Sequence, residues 1–286
     1  MKVFINDAIV DGEGAMISVQ DHGLLYGDGV FEGIRAWSGR VFRLQDHLAR
    51  LAYGASSLHL TLPYSLEEIA SIVQRTVDAS GVDEAYIRLV VTRGVGLLGI
   101  DIDTCAEPQL FCMVDELKIF PKEKQLAGIS LQTSPFRRPG SDMLDPRVKS
   151  LNYQNQVQAR IAARRSGADE ALLLNAAGNI AEASVANIFV VQQGVLCTPP
   201  TVDGSLDGMT RRTILELAAA AGIPTAVRSL SRVDLFMAED AFLTGTGAGL
   251  VRISSLDGVQ VGKGEPGAIT CALLDAYITR TRGGAA

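Results

Sequence analysis

Strand-like and helix-like segments occur in mixed order along this chain, and this mixture constrains the fold more than any other sequence feature. Ser65 and Glu68 have the spacing of a capping box, and the apolar residues that follow predict a helix that ends at Gly81. Two apolar runs come next, AYIRLVVTRG and PQLFCMVDEL, and their composition is typical of strands. This order of elements predicts a mixed α/β or α+β fold.

The length of the chain predicts two domains, because 286 residues exceed the usual size of one. The strand and helix pattern breaks at KIFPKEKQLAG, where Pro121 lies among charged side chains. We therefore predict a small N-terminal α/β domain over residues 1–120 and a linker over residues 121–127. A large C-terminal domain, residues 128–286, would contain Lys149.

The composition argues against several classes of protein. A net charge of −6 without a long basic run argues against binding to nucleic acid. The four cysteines lack a C-x-x-C pair and the three histidines lack ligand spacing, so we expect neither a metal site nor a disulfide framework. There is no apolar run of about 18 residues and no signal-like N-terminal stretch. We therefore expect no membrane association. The scattered cysteines suit a reducing cytoplasm.

Lys149 occupies a distinctive position in RVKSLNYQNQVQARIAARRSGADE, directly upstream of a predicted helix. Tyr153, Val157 and Ile161 fall four residues apart, which predicts one apolar stripe facing inward, and Gly167 is a predicted stop. Lys149 lies where a strand-rich segment gives way to this helix. From the residues alone, its amine is either a solvated surface group or the reactive group of a site.

Two glycine-bearing segments are candidate anion sites. In GSLDGMTRRTILELAAAAG, Gly208 precedes a predicted helix whose unpaired N–H groups favour phosphate, with a plain helix cap at Thr210 as the alternative. In LTGTGAGL, the glycines lead into a strand, whereas a dinucleotide fingerprint needs a helix. Thr246 therefore marks either an anion-binding turn or a purely structural one.

Two further patterns concern charged side chains. Glu182 lies just ahead of the apolar strand NIFVV, where a buried carboxylate needs a partner such as a protonated ring nitrogen. A solvated strand edge is the alternative. Tyr86 and Arg88 are two residues apart on one predicted strand, so we expect them to share a face that suits a carboxylate. A simple salt bridge is the alternative for Arg88.

These separate signals converge if one ligand carries a phosphate, a basic ring nitrogen and an aldehyde that an amine captures. Pyridoxal 5′-phosphate is such a ligand, and a lysine Schiff base is its usual anchor. That chemistry supplies a function for Lys149.

The ordered motifs resemble the class IV, or fold type IV, pyridoxal-phosphate aminotransferases, and most closely the branched-chain amino acid aminotransferases. The resemblance covers nearly the whole chain. It is carried by HGLLYGDGVFEGIR, FRLQDHLARL, AYIRLVVTRGVG, K-x-x-NY, DEALLLN, G-x-I-AEASVANIFVV, LDGMTR and FLTGTGA. It implies the two-domain α/β (α+β mixed) fold of the D-amino acid aminotransferase type.

The resemblance also implies which residues bind the cofactor. Lys149 would be the catalytic Schiff-base lysine, and Glu182 would pair with the ring nitrogen. Tyr153 would bond the phenolic oxygen, and Leu206 would pack on the ring. The implied phosphate ligands are side chains and main-chain amides, namely Arg50, Met209, Thr210 and Thr246.

The implied reaction is transamination between 2-oxoglutarate and the L-branched-chain amino acids leucine, isoleucine and valine, in branched-chain amino acid biosynthesis. The resemblance further implies a homodimer or a larger homo-oligomer, because in this fold the loop after VVTRG commonly helps close the neighbour's site. The implied substrate-binding residues are Tyr26, Phe31, Arg35, Tyr86, Arg88, Thr246 and Gly247.

Other activities share this fold and remain alternatives, namely D-amino acid aminotransferase, R-selective amine transaminase and aminodeoxychorismate lyase. The D-amino acid enzymes usually carry an Arg-x-His pair in the loop where this chain reads VGLLGI. The chain also departs from the branched-chain pattern after TGTGA, where Gly249 and Arg252 occupy a region that often holds an acidic residue and a proline. A non-catalytic pyridoxal-phosphate carrier is the alternative from another class.

Overall fold

The computed structural model describes residues 1–116, 125 and 127–282, which pack as two compact units. The first unit comprises Met1–Leu117 with Val148–Asn152, and the second comprises Lys118–Arg147 with Tyr153–Ala286. Both units mix strands with helices, which confirms the predicted fold class. The predicted linker, apart from Gln125 and Ala127, lies outside the described residues.

The first unit is built on an antiparallel sheet. Its elements are β1 Lys2–Ile5, β2 Ala8–Asp11, α1 His22–Tyr26, β3 Gly29–Trp37, β4 Arg40–Val41, α2 Leu44–Ser57, α3 Leu66–Ser80, β5 Glu84–Thr92 and β6 Gln109–Glu116. The strand order is β2-β1-β6-β5-β3-β4. β3 and β5 pair over nine residues, from Gly29 opposite Thr92 to Trp37 opposite Glu84.

One face of this sheet is buried under α2 and α3. Ile34 and Ile87 of the strands lie in the same apolar cluster as Leu48 of α2 and Ile69 of α3, and all four side chains are fully buried. α3 begins with the capping box predicted at Ser65 and ends before Gly81, whose φ of +64° suits glycine. The opposite face of the sheet is therefore left to carry functional side chains.

The second unit is built on a mixed sheet. Its elements are β7 Ile129–Arg137, α4 Gln154–Arg165, β8 Glu170–Leu174, β9 Ile180–Ala183, β10 Asn187–Gln192, β11 Val195–Thr198, α5 Met209–Ala220, β12 Thr225–Val227, α6 Arg232–Phe236, β13 Asp240–Gly245, β14 Gly249–Leu256, β15 Val259–Gln260 and α7 Ala268–Arg282. The strand order is β12-β11-β10-β13-β14-β7-β8-β9, and β15 pairs with β14. β7 runs parallel to both β14 and β8.

One apolar cluster joins this sheet to α5 and α7. The rings of Phe189 and Phe242 stack with centroids 5.2 Å apart, and both are fully buried. Ile214 of α5 and Leu273 of α7 belong to the same apolar cluster. This packing orients α5, whose first turn carries the predicted phosphate ligands.

The predicted inward stripe of α4 is wrong. Val157 is 47% exposed and Ile161 is 39% exposed, whereas Ala159 and Ala163 are buried in a cluster with Leu173 of β8. The small alanine side chains allow the helix to approach the sheet closely, so the alanine stripe faces inward and the larger apolar stripe faces outward. The helix itself lies where predicted, and Gly167 follows its end with a φ of +83°.

The segment that contains Lys149 packs with the first unit, which differs from the expectation that it belongs to the C-terminal domain. The amide of Phe31 donates to the carbonyl oxygen of Lys149 at 3.0 Å, and the amide of Leu151 donates to Gly29 at 2.9 Å. These main-chain bonds extend the edge of β3, which is why the segment groups with that sheet. Across the described ranges, no helix has both the length and the apolar character to cross a bilayer.

Candidate active site

Lys149 presents a positioned amine in the first unit. The main-chain bonds to Phe31 and Gly29 fix its backbone, and its amine lies 4.4 Å from the centroid of the Phe31 ring. That distance is within the range of a cation–π interaction. The residue is half-buried. The main-chain bonds of the segment and the Phe31 ring therefore fix where the Lys149 amine lies.

Arg88 and Tyr86 meet on the face of β5 that is not covered by helices. The Nη2 of Arg88 donates to the Tyr86 hydroxyl at 3.1 Å, and the guanidinium carbon lies 4.4 Å from the centroid of the Phe31 ring. Gly33 stands opposite Arg88, and a Cβ there would sit 2.3 Å from the Tyr86 hydroxyl. Glycine at this position thus leaves room for the phenol. The arrangement offers a cation and a hydroxyl beside an apolar ring.

A cavity of about 470 Å³ opens on the same face of the sheet. Arg88, Tyr86 and Val90 of β5 line it together with Phe111 and Met113 of β6. The two β6 residues were not predicted, although their alternation with buried residues along that strand marks them as facing this side. Asp115 and Met1 also line the cavity, so it holds an acidic group as well as the Arg88 cation. Its largely apolar wall suits an aliphatic side chain.

Arg35 and Tyr26 each contact other residues of the first unit. The Nη2 of Arg35 lies 3.5 Å from the Glu84 carboxylate, and its guanidinium lies 5.0 Å from the centroid of the Trp37 ring. The Tyr26 hydroxyl accepts the amide of Gly99 at 2.7 Å, which ties it to the loop after β5. Their predicted contact with substrate stays a prediction.

Arg50 forms a buried ion pair that sequence reasoning missed. Its Nε and Nη2 donate to the two carboxylate oxygens of Glu32, each at 2.7 Å, and His47 Nδ1 lies 2.7 Å from Glu32 Oε2. Burial by itself raises the pKa of Glu32, but the charge of Arg50 and the hydrogen bonds from Arg50 and His47 lower it to about 2. Burial lowers the pKa of His47, so a neutral imidazole donates from Nδ1 to an ionised carboxylate.

Glu182 is a buried carboxylate of the second unit, which argues against a solvated strand edge. It is 6% exposed on β9, and Arg138 Nη2 lies 3.0 Å from its Oε1. The amide of Leu206 donates to Oε2 at 2.9 Å, and the Asn187 amide lies 3.5 Å from the same oxygen. These groups hold an anion in the interior. Arg138 and Asn187 were not predicted, because their distance along the chain gives no signal.

The start of α5 has the features expected of an anion site. Gly208 precedes the helix and no side chain caps its first turn, while Met209 and Thr210 are buried. A Cβ at Gly208 would sit 2.0 Å from Asn187 Oδ1, so a larger residue there would displace the Asn187 amide. Asn187 also donates to the carbonyl of Leu206 at 2.8 Å. One amide thus braces both the helix start and the segment before it.

Three other predicted cofactor and substrate residues lie in connections of the second unit. Thr246 and Gly247 form the turn between β13 and β14 and are half-buried. Gln125 donates to the carbonyl of the adjacent Ala248 at 2.7 Å. Tyr153 is half-buried directly before α4.

Arg252, a departure from the branched-chain pattern, takes part in a buried ion pair. It is 2% exposed on β14, with Nε 3.5 Å from Asp240 and Nη1 donating to Ala127 at 3.3 Å. Asp240 also accepts the amide of Gly267 at 2.7 Å, just before α7. This arginine is therefore part of the interior of the second unit.

The chemistry of these residues fits pyridoxal 5′-phosphate, the cofactor that the resemblance implies. The buried Glu182 anion suits a protonated ring nitrogen, and the start of α5 suits a phosphate. The positioned amine of Lys149 suits an aldehyde. In the part of the chain that the structure describes, no group of three or more side chains could hold a metal ion.

Comparisons with known proteins agree with this chemistry. The family of class IV amino-transferases matches residues 29–256. A Methanocaldococcus jannaschii protein, named only provisionally as a branched-chain-amino-acid aminotransferase, is 43% identical over 97% of this chain and 95% of its own length. A D-alanine aminotransferase of Listeria monocytogenes is 29% identical over 97% of this chain and 95% of its own length.

The solved structures that resemble this chain include the branched-chain amino acid aminotransferase of Escherichia coli. That structure superposes with a TM-score of 0.95 and 30% identity, covering 99% of this chain and 95% of the other. The match to the family extends over most of the chain and the structural match over nearly all of it. The chain belongs to the class IV aminotransferases, enzymes that use pyridoxal 5′-phosphate to exchange amino groups between amino acids and oxo acids.

Proposed function

We propose that this enzyme transfers the amino group of L-leucine, L-isoleucine and L-valine to 2-oxoglutarate. The observation that carries the proposal is the arrangement of Phe31 with Arg88 and Tyr86 beside the Lys149 amine. An apolar wall suits the aliphatic side chain, and an arginine with a phenol suits the second carboxylate of 2-oxoglutarate or glutamate. The branched-chain names of the M. jannaschii and E. coli proteins support the same substrates.

The proposed roles of the cofactor residues follow from their chemistry. When bound, the cofactor supplies an electron-withdrawing ring, and Glu182 keeps its nitrogen protonated. Lys149 would hold the cofactor aldehyde, and its amine would move the proton at the substrate α-carbon. Tyr153 donates to the phenolic oxygen and Leu206 packs on the ring. The proposed phosphate ligands are Arg50, the Met209 and Thr210 amides, and the Thr210 and Thr246 hydroxyls.

Substrate orientation is the remaining part of the proposal. The amides of the Thr246-Gly247 turn receive the α-carboxylate, and Tyr26 and Arg35 line the pocket with Phe31. A D-amino acid aminotransferase is the competing activity, because the L. monocytogenes relative has that name. Residues 94–100, GVGLLGI, lack the Arg-x-His pair that such enzymes usually carry, which favours the L-amino acids.

We also propose that the enzyme is at least a homodimer and acts in the cytoplasm. The loop after β5 exposes several large apolar side chains, with Leu97, Leu98 and Ile100 at 68%, 80% and 82%. Exposed apolar side chains that cluster in one loop favour a surface covered by another chain. The cytoplasmic location rests on the scattered cysteines.

An amino-donor screen against 2-oxoglutarate, with both enantiomers of each donor, tests the proposed substrates. We expect L-leucine, L-isoleucine and L-valine to react, and D-alanine and simple R-amines to be much poorer donors. Faster reaction of D-amino acids than of their L-forms would contradict the proposed specificity and favour the D-amino acid activity. Bound cofactor without turnover of any donor would point to a carrier.

The Arg88→Ala variant tests directly whether Arg88 binds the second carboxylate of glutamate. We expect the half-reaction with glutamate to slow by one to two orders of magnitude, since a hydrogen bond to a charged group is worth about 1.5–3 kcal/mol. The half-reaction with leucine should slow less, because its side chain has no carboxylate. Equal losses with both substrates would contradict the proposed role of Arg88.

A further inference from the structure

Glu32 interrupts an apolar row on the side of β3 that faces α2 and α3. Its neighbours in that row, Val30 and Ile34, are at most 1% exposed, and so is Leu89, which stands opposite it on β5. Glu32 itself is fully buried. A buried ion pair is often no more stabilising than apolar side chains of similar size. The carboxylate therefore calls for an explanation other than the stability of the core.

Two side chains of α2, three residues apart, converge on this carboxylate. Arg50 donates to both of its oxygens at 2.7 Å, and His47 binds the second oxygen at 2.7 Å. Two parallel bonds fix the plane of a guanidinium as well as its distance. Together the three groups carry one negative and one positive charge, because the imidazole is neutral. Glu32 thus orients Arg50 while cancelling its charge.

We propose that Glu32 is a positioning residue, with His47 as its brace, that holds the Arg50 guanidinium in the orientation in which it receives the cofactor phosphate. The inference rests on the proposed function of Arg50 as a phosphate ligand. The charge of Glu32 and its positioning of Arg50 have opposite effects on phosphate binding. A carboxylate near a phosphate dianion repels it, so a purely electrostatic influence of Glu32 weakens phosphate binding. A positioning influence strengthens it.

The sign of the effect of Glu32→Gln on cofactor affinity separates these two influences. We expect the apo-protein of this variant to bind pyridoxal 5′-phosphate at least tenfold more weakly in equilibrium dialysis, although it has lost a negative charge. The ³¹P resonance of the cofactor that remains bound should shift from its wild-type position. Glu67→Gln removes an exposed carboxylate of the same unit and should leave both readouts unchanged.

A double-mutant cycle with Arg50→Ala distinguishes positioning from a general loss of structure. If Glu32 acts through Arg50, then Glu32→Gln should weaken binding in the wild-type background and have no further weakening effect once Arg50 is alanine. Additive losses would indicate a merely structural role and would overturn the proposal. Wild-type or tighter binding by a folded Glu32→Gln protein would overturn it as well.

The same experiments separate this inference from the proposed function. If Arg50→Ala binds the cofactor as tightly as the wild type, the phosphate role of Arg50 fails and the inference fails with it. If Arg50→Ala weakens binding and the Glu32 variant does not, only the inference fails. Should Glu32→Gln not fold, Glu32→Asp keeps the charge but shortens the side chain. Its affinity should then fall at least tenfold, and an unchanged affinity would overturn positioning.

Discussion

Three glutamates among the described residues are buried, each paired with an arginine, and Glu170 with Arg160 is one of them. Glu32 is paired with Arg50 in the first unit and Glu182 with Arg138 in the second. A buried carboxylate that keeps its charge needs such a partner, because desolvation otherwise favours the neutral acid. The proposed ring-nitrogen role requires Glu182 to carry its charge. At the scale of single residues, each of these buried carboxylates therefore has an arginine beside it.

The Glu182→Gln variant should lower the rate of the half-reaction with L-leucine by roughly ten- to a hundredfold. The amide preserves the shape of the side chain but removes the charge that holds the ring nitrogen protonated. Stopped-flow absorbance measures the rate, and urea denaturation of the same protein checks that the loss is not one of folding. Glu239→Gln, at an exposed carboxylate of the same unit, is the control. A wild-type rate in Glu182→Gln would refute the role.

The amine of Lys149 should carry the cofactor covalently. Reduction of the holoenzyme with borohydride is expected to fix the cofactor to the Lys149 peptide, which mass spectrometry would identify. Lys149→Ala should retain the cofactor without this attachment and lose nearly all turnover, whereas Lys263→Ala should behave as the wild type. A label on Lys122, Lys124 or any other lysine would contradict the assignment.

At the scale of secondary structure, α4 shows how side-chain size decides which face of a helix is buried. Ala159 and Ala163 pack near Leu173, while Val157 and Ile161 remain exposed. The helical spacing of apolar residues allows either stripe, the valine and isoleucine or the two alanines, to be the buried one. The close approach of the helix to β8 leaves room only for the alanines. The helix is therefore sensitive to added volume on one side and tolerant of polarity on the other.

Ala159→Leu should destabilise the protein by about 1–3 kcal/mol, because it forces extra volume into a closely packed contact. Val157→Ser should change the free energy of unfolding by less than about 0.5 kcal/mol, since its side chain is largely exposed. Urea denaturation of both variants measures the difference. Equal destabilisation would show that the outer face of α4 is covered in solution.

At the scale of the whole molecule, the two units divide the candidate residues between them. The first unit holds Lys149, Arg50 and the Tyr86–Arg88 pair, and the second holds Glu182 and the start of α5. Each unit also has its own apolar core around its own sheet. The candidate residues are therefore found in both units.

The exposed loop after β5 should determine the oligomeric state. Sedimentation velocity of the wild type at assay concentration is expected to give at least the mass of a dimer. Ile100→Asp should shift the protein towards monomer, because it places a charge in an apolar patch, while Met237→Asp, at an exposed site of the second unit, should not. A fully active wild-type monomer would contradict the assembly.

Local signals in the sequence predicted local structure well. The capping box at Ser65 and the helix start after Gly208 follow from neighbouring residues, and both are confirmed. The contacts of Glu32 with His47 and of Glu182 with Arg138 join residues 15 and 44 positions apart on different elements, and no period in the sequence connects them. The recognised motifs supplied the candidate residues, but the groups that orient them became visible only in three dimensions.

The five-residue return of the chain to the first unit has a consequence for protein engineering. A chimera that exchanges Met1–Leu117 between two class IV enzymes would combine the β3 of one parent with the Val148–Asn152 segment of the other. The main-chain bonds of Phe31 with Lys149 and of Leu151 with Gly29 would then join sequences that had never been selected together. A chimera that keeps the position of the Lys149 amine should therefore exchange Met1–Leu117 and Val148–Asn152 together.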